Sequence, residues 1–169
     1  TWRMERITTA CLEAAKAALA EGVSDVSEVI KQCAIDQNNE RYAGIGKVGH
    51  YLAALFPDHG AVMTQCFAET IVGMMLIRVF CPETRPYFQG SRLTASVVRD
   101  MGFDVTVITD NMPAFVMKNE GIDLFTSAAD VICCDGHVVN KVGTYQIAIA
   151  AKYHGIPYYV SGTPDQGHQ

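Results

Sequence analysis

The chain has 169 residues, is 49% hydrophobic and carries a formal net charge of -5. That length and composition suit one domain with a sizeable core and a small helical appendage. The acidic balance, with no lysine- or arginine-rich run to reverse it, argues against nucleic-acid binding through phosphate neutralisation. No apolar stretch approaches the length of a bilayer crossing, and the N-terminus lacks a signal-peptide layout. The six cysteines, at 11, 33, 66, 81, 133 and 134, have neither the density nor the spacing of a disulfide framework. Adjacent Cys133 and Cys134 do not give the two-residue gap of a zinc knuckle. The expectation is a cytoplasmic protein with reduced thiols and no resident metal.

In chain order, Ile7, Cys11, Ala14, Ala15, Ala18 and Leu19 form a helical period closed by Gly22. Asp25 with Glu28 three residues on marks a second helix start, whose buried stripe is Val26, Val29, Ile30, Cys33 and Ala34. A third helix is predicted from Asn39 to Phe56, its helicity lowered by Gly44, Gly46 and Gly49. The pattern changes after His59-Gly60. Strands are predicted over 61–65, 77–81, 104–108, 122–127 and 157–160, and helices over 67–76, 91–101, 113–119 and 141–154. This alternation predicts an α/β, Rossmann-like parallel sheet covered on both faces, with residues 1–58 as a helical segment and 59–169 as the α/β domain. A parallel crossover needs about a dozen residues, more than separate Cys66 from Ile77, and no helix closes the last strand. The domain is therefore expected to be incomplete, there and at both ends.

Three segments carry candidate chemistry. Thr64-Gln65-Cys66 joins a strand to a helix, where a helix N-terminus lowers a thiol pKa; burial as a structural cysteine is an equal alternative for Cys66. For Cys11, Cys33 and Cys81 the structural role is favoured. Asp130 follows a strand, where a carboxylate loses solvent and serves as acid or base; an Asx-type turn cap is the alternative, and on position alone the better one. Asp135-Gly136 is a turn signal, so Asp135 reads as structural and His137 as a loop hydrogen-bonding residue. Gln89-Gly-Ser-Arg92 and Asn140-Lys141-Val-Gly-Thr144 each precede or open a helix, where free backbone N–H groups with a cation or amide suit a phosphate; ordinary capping is the plain alternative. No dinucleotide fingerprint or nucleotide-hydrolase phosphate loop is present.

Taken together, Thr64-Gln-Cys66, Glu83-Thr-Arg-Pro-Tyr-Phe-Gln-Gly-Ser-Arg-Leu-Thr94, Val107-Ile-Thr-Asp-Asn-Met112, Ala129-Asp130, Asp135-Gly-His-Val-Val-Asn-Lys-Val-Gly-Thr-Tyr145 and His154-Gly-Ile-Pro-Tyr-Tyr159 resemble one family. It comprises 5-methylthioribose-1-phosphate isomerase, ribose-1,5-bisphosphate isomerase and the regulatory subunits of the translation initiation factor that exchanges guanine nucleotide. The resemblance spans about residues 40 to 160, with the motifs in order and at matching spacing. It implies Cys66 and Asp130 as the catalytic pair and Gln89, Arg92, Asn140 and Lys141 as substrate-binding residues. The implied reaction turns a 5-substituted ribose 1-phosphate into the ribulose 1-phosphate without cofactor or metal, in a homodimer. The branch of non-catalytic regulatory subunits generally lacks the Cys/Asp pair; that role and a sugar-phosphate sensor are the alternative readings. The chain departs from the isomerase pattern at Gln65, usually His; at Phe67-Ala68-Glu69, usually Asn-Ala-Gly; at Val131, often Arg; and at His137, commonly Asp. The arginine-glycine segment that contacts phosphate in complete members is absent from this sequence.

Overall fold

The computed structural model describes residues 2–56, 59–65 and 77–162, with the backbone alone for residues 2–4, 41 and 77. The chain forms two compact units, Thr1–Gly44 and Ile45–Gln169. The first unit begins with α1 (Trp2–Ala20). Gly22 ends it at φ 73, and the Val23 N–H donates to Ala18 O at 2.9 Å. A left-handed residue at this point costs glycine nothing, and the backward bond satisfies a carbonyl the helix leaves free. Asp25 caps α2 (Val26–Ala53) as its spacing predicts, its Oδ1 accepting the Glu28 N–H at 3.1 Å.

α2 is one helix of 28 residues, where the sequence suggests two. The polar stretch between them contains no proline. Its side chains support the helix instead, with Gln32 donating to Asp36 at 2.8 Å and Asn38 to Ala34 O at 3.0 Å. The boundary between the two compact units thus falls inside a helix.

The second unit holds a five-stranded parallel sheet of β1 (Gly60–Gln65), β2 (Ile77–Pro82), β3 (Asp104–Ile108), β4 (Leu124–Ala128) and β7 (Tyr158–Ser161), in the order β3-β2-β1-β4-β7. Two-residue strands β5 (Val131–Ile132) and β6 (Val138–Val139) form a separate antiparallel ladder. Ala61 to Gln65 of β1 are all buried, as befits a central strand covered on both faces. On one face Met63, Phe80 and Phe125 pack with Val116 and Met117 of α4 (Pro113–Asn119) and Ile147 and Ala151 of α5 (Thr144–Tyr153). On the other, Val62, Val79, Cys81 and Leu124 meet Ala95 and Val98 of α3 (Ala95–Asp100), with Ala53 and Phe56 against them. The helix expected from residue 91 opens as a π-helical turn, Gly90–Thr94, before α3. The expected helix over 67–76 lies outside the described residues.

The chain steps outward from β1 to β2 and β3, then returns to the other side of β1 for β4 and β7. The reversal opens a crevice between the carboxyl ends of β1 and β4, the place where sheets of this topology bind ligands.

Candidate active site

The crevice is built from the sheet outward. Gln65, last residue of β1, pairs in register with Ser127 of β4. Cys66 is the next residue in sequence and lies outside the described residues. The Gln65 side chain reaches the start of α5, its Nε2 donating to Val142 O at 3.4 Å. Gly143 caps that helix at φ 106, and a Cβ there would stand 2.8 Å from Gln65 Nε2. Only a glycine allows both that φ and that approach.

The loop after β2 is the second wall. Asp110, beyond β3, accepts the Thr84 N–H at 2.8 Å and the Arg85 N–H at 2.7 Å, one on each carboxylate oxygen. These bonds hold Thr84 at φ 63 and help close a turn in which the Phe88 N–H returns to Thr84 O at 2.7 Å. Gly90 passes so close beneath that a Cβ would lie 1.8 Å from Pro82 O. The loop meets the start of α5 where Lys141 Nζ sits 4.4 Å from the Tyr87 ring centre, a cation–π contact. Asn140 faces the helix it precedes, its Nδ2 donating to the Thr144 hydroxyl at 3.1 Å.

Asp130 follows β4 and begins the small β5–β6 hairpin, its N–H donating to Val139 O at 2.8 Å. Its side chain is exposed, which corrects the expectation that the strand end withdraws it from solvent. Asp130 comes just after the chain's bond to β7, Ala129 N–H to Ser161 O at 3.0 Å, where it passes into the separate β5–β6 ladder. At the hairpin tip Asp135 accepts the His137 N–H at 3.0 Å, and the same carboxylate lies 3.0 Å from His137 Nδ1. The backbone donor first, and the imidazole second, hold the Asp135 carboxyl below its ordinary value. Both residues thus have the turn-forming roles their spacing suggests.

Among the described residues, four buried side-chain oxygens lack any hydrogen-bond partner: Thr64 Oγ1, Gln65 Oε1, Gln89 Oε1 and Thr126 Oγ1. Thr64 and Gln65 are the last two residues of β1, Thr126 is the middle residue of β4, and Gln89 lies on the loop after β2. Thr64 and Thr126 are register partners. Unsatisfied buried acceptors and hydroxyls are uncommon. By strand alternation Gln65 shares the α5 face of the sheet with Met63, whereas Thr64 and Thr126 share the α3 face with Val62 and Leu124. Gln65 Oε1, at the carboxyl end of β1, is therefore the one that suits a hydroxyl-bearing ligand beside α5. Of the residues singled out from sequence, Gln89, Asn140 and Lys141 are half-buried on the two segments that meet here, while Arg92 is exposed on the π-helical turn. Sequence reasoning gave no separate role to Gln65, Thr64 or Thr126; their signal was polar residues ending a strand otherwise buried on both faces. No group of three or more His, Cys, Asp or Glu side chains suited to a metal ion occurs among the described residues. Nor is any described helix long and apolar enough to cross a membrane.

Known proteins share this architecture. Methylthioribose-1-phosphate isomerase of Chloroflexus aurantiacus is 37% identical over 170 residues, covering 91% of this chain and 49% of that protein. The 5-deoxyribose 1-phosphate isomerase of Moorella thermoacetica is 36% identical over 176 residues, covering 95% of this chain and 49% of its own length. Among solved structures, the translation initiation factor eIF-2B subunit delta from A. fulgidus superposes with a TM-score of 0.72 at 33% identity, covering 90% of this chain and 49% of that one. The chain spans about half the length of the relatives it matches. The profile of the Initiation factor 2 subunit family matches residues 1–163, and with these likenesses the chain belongs to that family.

Proposed function

We propose that this chain carries the catalytic region of an aldose–ketose isomerase. Its substrate is a 5-substituted ribose 1-phosphate, either 5-methylthioribose 1-phosphate or 5-deoxyribose 1-phosphate, and its product the ribulose 1-phosphate. The observation that carries the reading is the unpartnered buried Gln65 Oε1 at the carboxyl end of β1, beside β4, in a chain whose relatives are named as isomerases of these two sugars. Residues 59–169 would form the catalytic α/β region and 1–58 the helical segment before it.

In such a substrate the anomeric oxygen is esterified, so the ring does not open spontaneously to an aldehyde. During reaction the ring oxygen gains a proton as its bond to C1 breaks, and C2 loses a proton. C1 then gains one and the C2 hydroxyl gives one up. Hydrogen moves from C2 to C1 with no external oxidant or reductant. Cys66 and Asp130 are the proposed acid–base pair. Gln89, Asn140 and Lys141 are proposed to orient hydroxyls and phosphate, with Arg92 adding positive charge. Lys141 is already steered by the Tyr87 ring, and α5 offers first-turn N–H groups that no side chain caps.

The protein is proposed to act in the cytoplasm as a homodimer, without nucleic acid. In support of dimerisation, Val142, Tyr145, Ile149 and Tyr153 project from the start and outer face of α5 and are each at least half exposed. Tyr145, Ile149 and Tyr153 recur every four residues along α5, which makes one apolar stripe, and Val142 lies in the turn just before it.

The test is proton NMR of the intact protein with both sugar phosphates in deuterated water. Conversion to a ketose 1-phosphate with deuterium at C1 is the expected result. Cys66→Ser and Asp130→Asn should each lose turnover, and near-normal rates in either variant would remove that residue from the mechanism. A non-catalytic regulatory subunit is the second reading, favoured by the likeness to the eIF-2B delta subunit. It predicts neither turnover nor binding, whereas a sensor would bind one sugar phosphate and leave it unchanged.

A further inference from the structure

Gln65 is 1% exposed at the end of β1, in register with Ser127. Its two amide atoms have different fates. Nε2 faces the start of α5, 3.4 Å from Val142 O and pressed close by Gly143. Oε1 is buried and accepts nothing. The Val142 carbonyl assigns the amide orientation, because reversing it would set two oxygens against each other. Ser127 beside it does not supply the missing donor, since its hydroxyl is engaged with Tyr158 OH at 2.7 Å and with Ala128 O at 3.0 Å. A desolvated acceptor of this kind is stabilised by a donor arriving with the ligand.

We propose that Gln65 is a substrate-contacting specificity residue, its buried Oε1 accepting a hydrogen bond from a ring hydroxyl of the sugar. Nε2 meanwhile ties β1 to the turn that starts α5, so the segment carrying Asn140 and Lys141 is held in step with the acceptor. The inference rests on the sugar-phosphate reading of the site and adds to it a residue chosen by geometry. A site built around an unpaired acceptor rejects a ligand lacking the matching hydroxyl, because the acceptor then stays buried and unpaired.

The experiment is titration calorimetry on the intact protein with 5-methylthioribose 1-phosphate and its 2-deoxy and 3-deoxy counterparts. Wild type is compared with Gln65→Met, which keeps the bulk and removes the acceptor, and with Gln65→Asn, which keeps a polar side chain but withdraws it by one methylene. Both variants are expected to weaken binding of the parent sugar by roughly tenfold. The loss should vanish for one of the two deoxy analogues, which identifies the partner hydroxyl. Gln65→Asn provides the readout if the Met variant does not fold. An equal loss for the parent and both analogues would show structural support of the turn alone and overturn the proposal, as would no loss at all. Coupling without turnover would sink the isomerase reading and leave Gln65 standing. Turnover without coupling would do the reverse, and a wild type that binds none of the three sugars overturns both.

Discussion

Asp110→Asn is the most informative single change outside the proposed catalytic pair. The carboxylate accepts the Thr84 and Arg85 N–H groups at 2.8 and 2.7 Å, while Gln146 Nε2 donates to the Asp110 backbone oxygen at 3.0 Å. Three segments distant in sequence are thereby joined at one residue. Hydrogen bonds to a charged acceptor contribute about 1.5–3 kcal/mol each. The asparagine amide keeps one acceptor and turns an NH2 toward the other N–H, so one bond is lost and two donors are set against each other. Asp110 is half-buried, which places the cost near the lower end, at about 2 kcal/mol. For a unit of this size that corresponds to a fall in Tm of roughly 4–8 °C. Thr84 sits at φ 63, a conformation that the threonine would leave once released. The loop carries Gln89 and the Tyr87 ring under Lys141, so kcat/KM should fall about tenfold beyond any loss of folded protein. Thermal melting and steady-state kinetics of the proposed isomerase reaction, with exposed Asp104→Asn as the control, give the readout. A variant that melts with wild type and keeps its kcat/KM would refute the claim that Asp110 holds the loop in its working shape.

Gly90→Ala should prevent normal folding of the loop, since its Cβ would fall 1.8 Å from the Pro82 carbonyl; a loss of about 3 kcal/mol or more, read by melting and limited proteolysis, is expected. The Asp135 carboxyl, held below 3.8 chiefly by the His137 N–H, should titrate low by NMR and move only part of the way back in His137→Ala, which keeps that backbone donor. Because its folded pKa is depressed, its contribution to stability is present above the unfolded value and is lost as pH falls through the folded one. Burial pushes the Cys81 thiol up to about 12, so at pH 8 a maleimide should modify exposed Cys134 well before Cys81, and equal rates would contradict that burial.

Local chemistry was legible wherever neighbours in sequence are neighbours in space. Asp25 three residues before Glu28 made a cap, Gly22 closed α1, and Asp135-Gly136 made a turn, because each needs only a few residues of backbone. The alternation of strand and helix was equally legible, since burial on both faces demands apolar strands and a parallel sheet demands crossovers. The motif order pointed to the family without any contact being known. The short β5–β6 ladder was not legible, because strands of two residues are too brief to show a period of two.

What the tertiary structure alone decided is which distant residues meet. Strand order places β4 beside β1 and so opens the crevice at their ends, a choice that no local pattern encodes. Asp110 grips Thr84 from 26 residues away, and Gln65 reaches Val142 across 77. The exposure of Asp130 and the unpaired state of Gln65 Oε1 likewise depend on everything packed around them. Residue types and their periods determine the elements and the chemistry on offer. Long-range packing determines which polar atoms are left without partners, and those atoms are where a ligand has something to gain.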